Sequence, residues 1–281
     1  MAADQRMHDY LQELTESAKK TRQVDKPLPF SLYSSITEQH ILNAPIMKPL
    51  LICVLAGVKQ LGKDSEIVCP AGGFVFLSNS PTIDMRNIPV NEEYLAVLID
   101  FEYSDFNQFK RTTNQSKKYF QGNLDYMLAK TLQQYMEWST YSHPAAWHFR
   151  KKELLQIIYQ CGYDDVGVIA EHPSLSHQLQ DLISEDISGD WSVDRVTAKV
   201  ALSESTLRRK LKAEGTDIHA IINRTRLGHA LHLVQTTMDP IGRIAERCGY
   251  SSQSRFTDKF KQLFGITPSE LRKTRTNRDE T

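Results

Sequence analysis

The sequence lacks any apolar run near the roughly 20 residues that a membrane-spanning helix needs. Its start, MAADQRMHDYLQELTESAKK, carries acidic side chains and no apolar stretch of the kind found in secretory signals. Cysteine is scarce and scattered, which predicts neither a disulfide framework nor a paired-cysteine metal site. We therefore expect no membrane contact and free thiols in the reducing cytoplasm. The cysteines are Cys53, Cys69, Cys161 and Cys248.

Signatures of catalysis are also missing. The chain has no GxSxG elbow, no P-loop and no GxGxxG turn. A metal-dependent cupin enzyme would need several histidines and a carboxylate at ligand spacing, and the strand-like region offers only His40. We therefore expect no catalytic residues, no metal and no cofactor.

The net charge of zero, from 34 basic and 34 acidic residues, conceals an asymmetry. Residues 1–190 have a balance of −7, whereas residues 191–278 have a balance of +9. A basic C-terminal third attached to an acidic remainder suggests that one part of the protein faces a polyanion such as nucleic acid. A solvated basic surface would give the same balance, so charge alone does not decide.

The hydrophobic pattern divides the chain into four parts. Residues 1–26 are polar with apolar residues at rough helical spacing, which predicts an arm or a short helix. In residues 27–103, short β-branched runs alternate with glycine and proline, which predicts an antiparallel sandwich or small barrel. Residues 104–170 and 175–275 have helical periodicity, with a domain boundary expected near 164–175. The predicted fold class is therefore α+β.

Two groups of apolar residues in the N-terminal part allow a functional as well as a structural interpretation. Aromatic residues of the strand region could line an effector pocket, although such residues more often form core. An apolar stripe on the following helices could mediate dimerisation, or it could be buried within its own domain. The pocket candidates are Phe74, Phe76, Tyr94 and Phe101, and the dimerisation candidates are Leu124, Leu128, Leu132, Leu154 and Ile158.

The stretch IAERCGYSSQSRFTDKFKQLFGITPSELR has the layout of a helix-turn-helix unit. Its first helix ends at GYSS, where Gly249 permits a left-handed turn and Ser251 or Ser252 can cap the next helix. The second helix places phenylalanines at helical spacing and should end at Gly265. The threonine-proline pair that follows predicts a further helix, because proline is tolerated in a first turn.

A rougher copy of this unit lies upstream. Val196 and Gly215 repeat Ile244 and Gly265 at offsets of 48 and 50 residues. The two copies are joined by IHAIINRTRLGHALHLVQTT, which has helical character. This arrangement predicts one rigid module whose two units enter a DNA duplex about one helical turn, roughly 10 bp, apart.

The second helix of each copy has a polar face opposite its buried stripe. In the first copy this face carries arginine, which can make bidentate contacts to guanine, and lysine, which suits phosphate. In the second copy, Gln253 and Arg255 lie at the helix start, where base contacts concentrate. The predicted DNA-binding residues are Ser205, Thr206, Arg208, Arg209, Lys212, Ser252, Gln253, Ser254, Arg255, Thr257, Asp258 and Lys261.

The stretch GYSSQSRFTDKFKQLFGITPSELR resembles the DNA-binding domain of AraC/XylS transcription regulators, and the resemblance extends from about Leu175 to Arg272. It implies seven helices, with two helix-turn-helix units on a shared linker helix. It also implies a double-stranded DNA operator and a contact with RNA polymerase. The family's base-contacting positions fall on Ser205, Arg208, Arg209, Gln253, Ser254 and Asp258, with Arg255 between them.

Residues 27–101 resemble, more faintly, the cupin-like N-terminal domains of the same family, which sense a small molecule, dimerise, or both.

Two positions of the C-terminal domain depart from the family pattern. Asp258 stands where arginine or lysine is frequent, and its carboxylate would repel phosphate and accept only from a cytosine or adenine amino group. Leu271 stands where an aromatic residue is usual, which should change packing only.

We therefore expect a two-domain, sequence-specific transcriptional regulator that forms a homodimer, binds a small-molecule effector, or does both. The alternative is an architectural DNA-binding protein, or a protein-interaction module, without effector sensing. An enzyme fused to a DNA-binding domain is a distant third interpretation.

Overall fold

The computed structural model describes residues 2–24, 26–79, 82–109, 117–170 and 174–275. In these ranges, nine strands form two antiparallel sheets that pack face to face. The five-stranded sheet has the order β1-β8-β3-β6-β9, and the four-stranded sheet has the order β2-β7-β4-β5. The strands are β1 Ser31–Ser35, β2 Gln39–Ala44, β3 Leu50–Ala56, β4 Val58–Leu61, β5 Ile67–Pro70, β6 Gly73–Leu77, β7 Ile83–Ile88, β8 Tyr94–Asp100 and β9 Tyr119–Asn123. The predicted sandwich is confirmed, although β9 lies beyond residue 103, where the sequence predicted helix.

Three helices cover the outer face of the five-stranded sheet: α1 Ala2–Thr21, α2 Tyr126–Ser139 and α3 Trp147–Gln160. The N-terminal segment is therefore a helix, and Leu14 and Ala18 on α1 are buried in the domain core. The same core contains the residues predicted to form a dimerisation surface. These residues are Leu124, Leu128, Leu132, Leu154 and Ile158, each at most 1% exposed. They cannot form that surface, because they pack against α1 and the sheet within one chain.

The four residues predicted to line an effector pocket do not come together in one pocket. Phe74, Phe76 and Phe101 lie on the helix-covered face of the five-stranded sheet, where the Phe76 ring centroid is 5.3 Å from that of Phe101. Tyr94 lies on the opposite face, between the two sheets. All four side chains are fully buried. They form parts of two cores rather than the wall of one pocket.

The interior between the sheets contains a buried lysine. Lys59 on β4 is 1% exposed, and its Nζ donates to Asn87 Oδ1 at 2.7 Å. A chain of amides continues outward, since Asn87 Nδ2 donates to Gln39 Oε1 and Gln39 Nε2 donates to Thr274 Oγ1, both at 2.7 Å. Gln235 Nε2 also donates to Gln39 Oε1 at 3.0 Å. This polar chain links the sandwich interior to the C-terminal helices.

Burial should make stability depend on pH through Lys59. Desolvation lowers the pKa of its ammonium from the ordinary value to about 7. Between pH 7 and about 10.4 the Lys59 side chain therefore holds a proton in the unfolded chain that it lacks in the folded chain, and its own contribution to stability rises with pH. Buried thiols such as Cys53, whose pKa burial raises, act in the opposite direction above about pH 8.5, so the Lys59 contribution is the difference between two proteins. The free energy of unfolding of wild type, minus that of Lys59→Met, should increase by up to about 4–5 kcal/mol in urea titrations from pH 7 to about 10.4. Equal slopes for both proteins would show that Lys59 is solvated.

The C-terminal domain has the seven helices that the family resemblance implies. They are α4 Leu175–Glu185, α5 Val193–Val200, α6 Glu204–Ala213, α7 Ile218–Thr236, α8 Ile241–Arg247, α9 Gln253–Phe264 and α10 Pro268–Lys273. Residues 171–173 of the expected domain boundary lie outside the described residues. The predicted helix ends are confirmed: Gly249 and Gly265 have φ of 77° and 74°, and Ser252 caps α9.

The second helix-turn-helix unit, α8 and α9, shares a core with the sandwich. One continuous cluster joins Ile41 and Ala44 of β2 to Phe256, Phe260 and Phe264 of α9. The first unit, α5 and α6, packs in a separate cluster with α4 and the start of α7. The N-terminal domain thus shares its hydrophobic core with the second unit and not with the first.

Hydrogen bonds reinforce the junction between the two domains. The amides of Ile36 and Thr37 donate to the Thr274 carbonyl at 2.8 and 3.3 Å. The Asn43 side-chain amide donates to the Leu263 carbonyl at 3.1 Å. These bonds attach the segment around β2 to the ends of α9 and α10.

Candidate DNA-binding surface

The first helix-turn-helix unit presents α6 as its first recognition helix. Ser203 caps the helix, and the preceding turn places Ala201 at φ 51°. Leu207 and Leu211 point inward and are at most 1% exposed. A left-handed conformation costs a residue with a Cβ more than glycine. The first unit therefore has a less favourable turn than the second, whose corresponding residue is Gly249.

The outer face of α6 carries the predicted side chains in exposed positions. Ser205, Arg208, Arg209 and Lys212 are exposed, and Thr206 is half-buried. Arg208 is paired on its own helix, since its Nε and Nη2 each lie 2.7 Å from Glu204 Oε1. Among the described residues, none forms an ion pair or hydrogen bond with the Arg209 side chain. Arg209 is therefore the α6 arginine most available to a base.

The second recognition helix is α9. Of the predicted residues at this helix, Thr257 is half-buried and the other six are exposed. The exposed residues are Ser252, Gln253, Ser254, Arg255, Asp258 and Lys261. Ser252 Oγ accepts the Arg255 amide at 3.4 Å, so this residue has a capping role at the helix start. The predicted residues of each helix thus share one accessible face.

The two recognition faces differ in charge. The first carries three cations, Arg208, Arg209 and Lys212. The second carries Arg255 and Lys261 together with the exposed carboxylate of Asp258. Because phosphate neutralisation supplies much of the affinity for DNA, the first face is electrostatically the stronger.

Replacing Asp258 with arginine should therefore increase affinity for non-specific DNA. The change adds two units of positive charge to an exposed face and should steepen the salt dependence by up to about two ion equivalents. It should also reduce sequence discrimination in the half-site read by α9, since any amino-group contact would be lost. Salt titrations on specific and scrambled duplexes test this. Identical affinities and slopes for both proteins would show that Asp258 does not face DNA.

A cavity between the domains was not predicted from the sequence. It has a volume of about 420 Å³. Its walls come from the segments around β1 and β3 and from α4 and α7. Polar groups in the wall include Tyr33, Lys48, His229 and His232, and apolar ones include Phe30 and Leu50. A ligand in this cavity would contact both domains at once.

Burial and neighbouring charges shift the pKa values of the ionisable groups in the cavity. Burial lowers the pKa of His229 and His232, so both imidazoles are neutral near pH 7. Burial opposes the charge of Lys48, but its hydrogen bond to Glu102, at 2.6 Å, and the nearby carboxylates raise its pKa overall. One of those carboxylates is Asp181 on α4. The cavity thus offers neutral hydrogen-bonding groups, one cation that is already paired, and the carboxylate of Asp100.

Comparison with known proteins identifies the C-terminal domain. A family model described as a helix-turn-helix domain matches residues 196–274. The regulator AdiY of Escherichia coli is 34% identical over 94 residues, and the urease operon transcriptional activator of E. coli is 30% identical over 122 residues. Residues 196–274 are therefore an AraC-type helix-turn-helix domain. These matches span 37% and 41% of the two relatives' lengths, so they cover little beyond the C-terminal domain of this chain.

The whole fold is similar to that of ToxT from Vibrio cholerae. One ToxT structure superposes with a TM-score of 0.64 at 16% identity, covering 90% of this chain and 100% of ToxT. A ToxT structure with bound unsaturated fatty acid gives a TM-score of 0.63 and covers 90% and 97%. At this identity the similarity establishes the two-domain fold.

The described residues lack two other kinds of feature. Within the described ranges, no three or more His, Cys, Asp or Glu side chains come together as a metal site would require. Across the same ranges, every helix is too short or too polar to cross a membrane. The cysteines are all free thiols.

Proposed function

We propose that the protein is a sequence-specific, DNA-binding transcriptional regulator. The observation that carries the proposal is the pair of recognition helices, which present exposed polar and basic faces from one linker helix. The named relatives are transcriptional regulators, and we propose regulation rather than catalysis for this chain as well. With a DNA operator as its partner, the protein would act in the cytoplasm.

We further propose that a small amphipathic effector binds in the cavity between the domains. The volume of about 420 Å³ lies within the usual range for ligand pockets. Phe30 and Leu50 would contact an apolar body, and Tyr33, Lys48 and His232 could hydrogen-bond a polar end. The fatty acid bound to ToxT is consistent with a ligand of this type. A ligand that touches α7 and the sandwich together would change how the second unit is held.

A homodimer and a contact with RNA polymerase remain proposals. Because the stripe on α2 and α3 is buried, a dimer would use other residues. The exposed apolar residues Tyr126 and Met127 of α2, each 53% exposed, offer one alternative surface. Light scattering of the wild-type chain would establish the oligomeric state.

Selection of bound fragments from random duplexes tests the proposed function, and Arg209→Ala tests its assignment to α6. The variant should lose about 1–3 kcal/mol on the selected operator and relax specificity at one base pair. Lys210→Ala is the matched control. It removes the same charge from α6, but from the side of the helix that lies near Glu214 and α4. Its specificity should be unchanged. Binding without enrichment of any sequence would favour an architectural protein, and no binding to DNA would favour a protein-interaction module.

A further inference from the structure

One guanidinium in the middle of the linker helix joins the two helix-turn-helix units. Arg226 Nε donates to the Ile187 carbonyl at 3.1 Å, and its Nη2 donates to the Gly189 carbonyl at 2.7 Å. Its Nη1 donates to the Gly249 carbonyl at 3.3 Å. Ile187 and Gly189 lie in the loop before the first unit, and Gly249 lies in the turn of the second. A single side chain therefore contacts both the loop that leads into the first unit and the turn of the second unit.

The loop before the first unit is itself fixed. Arg195 Nη2 donates to Asp186 Oδ2 at 2.7 Å, and its guanidinium lies 4.4 Å from the centroid of the Trp191 ring. Trp191 Nε1 donates to the Asp186 carbonyl at 2.8 Å. Arg195 belongs to α5, so the carbonyls that Arg226 contacts are held rigidly relative to the first unit.

The turn of the second unit is shaped to receive the same guanidinium. Gly249 has φ of 77°, which disfavours any residue with a Cβ. A Cβ at this position would also lie 2.8 Å from Arg226 Cζ. A side chain here would thus be disfavoured by the backbone conformation and would displace the Arg226 guanidinium.

Within the described residues, the two units do not share a hydrophobic cluster. The first unit packs in one hydrophobic cluster, and the second packs in another with the sandwich. The linker helix of 19 residues runs through both. A connecting helix fixes an axis but allows each attached unit to tilt. A side chain that holds both the loop before the first unit and the turn of the second therefore constrains the relative orientation of the two units.

We propose that Arg226 is a positioning residue that sets the spacing and orientation of the two recognition helices on DNA. The proposal rests on the proposed DNA binding. An arginine suits the task because its planar fork directs several N–H groups to fixed acceptors, whereas a lysine ammonium is a compact point charge on a flexible stem. Loss of the guanidinium should therefore loosen the register between the units without removing either recognition face.

Spacing between half-sites is the readout that separates this role from a merely structural one. Adjacent half-sites on one face of the duplex lie about 10 bp apart, and inserting one base pair rotates one of them by roughly 36°. A rigid pair of units should discriminate strongly against such an insertion. A loosened pair should discriminate less, even if it binds the native site more weakly.

The experiment measures binding of the full chain to the selected operator and to versions with one base pair inserted or deleted between the half-sites. Wild type should lose at least about fivefold in affinity on the altered spacings. Arg226→Met should bind the native spacing more weakly and lose less than about twofold on the altered ones. Arg226→Lys should behave like Arg226→Met.

Two results would overturn the proposal. A variant that loses affinity by the same factor at every spacing would show a general effect on folding, and a variant with the wild-type spacing profile would show no role in register. Circular dichroism melts of both variants establish that the compared proteins are folded. If wild type itself enriches no sequence, the proposed function fails, and that outcome is visible before any variant is made.

Discussion

Replacing Leu128 with aspartate is expected to unfold the N-terminal domain rather than release a folded monomer. Leu128 is 1% exposed and packs in the core between α1, α2 and the five-stranded sheet. Removing a buried leucine side chain costs about 2–5 kcal/mol, and a carboxylate buried without a partner adds to that cost. Together they approach the whole stability of a typical domain, about 5–15 kcal/mol. Circular dichroism should show loss of structure at 25 °C or a strongly lowered urea midpoint.

Gln134→Asp is the matched control, because Gln134 lies on the same helix, is exposed, and lies outside the Tyr126 and Met127 surface. It should fold with nearly wild-type stability. If Leu128→Asp gave a folded protein with native circular dichroism, monomeric by light scattering against a dimeric wild type, the stripe would be an interface after all. The placement of Leu128 in the intramolecular core would then be wrong.

Phe260→Ala is expected to weaken the second unit and the junction between the domains together. Phe260 is fully buried in the middle of an aromatic row on α9, with its ring centroid 5.7 Å from Phe256 and 4.6 Å from Phe264. Truncating a buried phenylalanine costs about 3–5 kcal/mol. Because the same cluster includes β2, hydrogen exchange at the Ile36 and Thr37 amides should accelerate, since both donate to Thr274 across the junction.

Leu211→Ala provides the comparison, because Leu211 is equally buried but belongs to the first unit. It should destabilise that unit by about 2–5 kcal/mol and leave exchange at Ile36 and Thr37 unchanged. Accelerated exchange at these amides in both variants would mean that the two clusters unfold as one. Unchanged exchange in both would mean that α9 does not support the junction.

The second helix-turn-helix unit could be predicted closely because local chemistry determines its ends. Gly249 and Gly265 adopt the left-handed conformations that only glycine accepts readily, and Ser252 and Thr267 cap the helices that follow. The first unit has Ala201 in place of glycine at its turn. The sequence pattern of the first unit is correspondingly weaker, and only its similarity to the second unit reveals it.

The arrangement of the N-terminal core could not be predicted in the same way. Sequence periodicity assigns a strand's faces only when one face is polar. β6 is buried along its whole length, and β3 nearly so, since the five-stranded sheet has helices on one side and the other sheet on the other. Phe74 and Tyr94 therefore look alike in the sequence although they belong to different cores.

Contacts between distant parts of the chain gave no sequence signal at all. Gln39 and Gln235 exchange hydrogen bonds across 196 residues, and α1 closes the core over α2. Neither contact has a local pattern. An amphipathic stripe such as that on α2 shows that a face is buried, but it does not show whether the covering partner is the same chain or a second copy.

A hydroxyl-radical footprint of the full chain on its selected operator tests the central claim most directly. Two recognition helices on one linker helix predict two protected windows for each bound chain, on one face of the duplex and about 10 bp apart. Arg209→Ala should weaken only the window read by α6. A single protected window, or uniform protection that does not depend on sequence, would contradict the claim that both units read one operator.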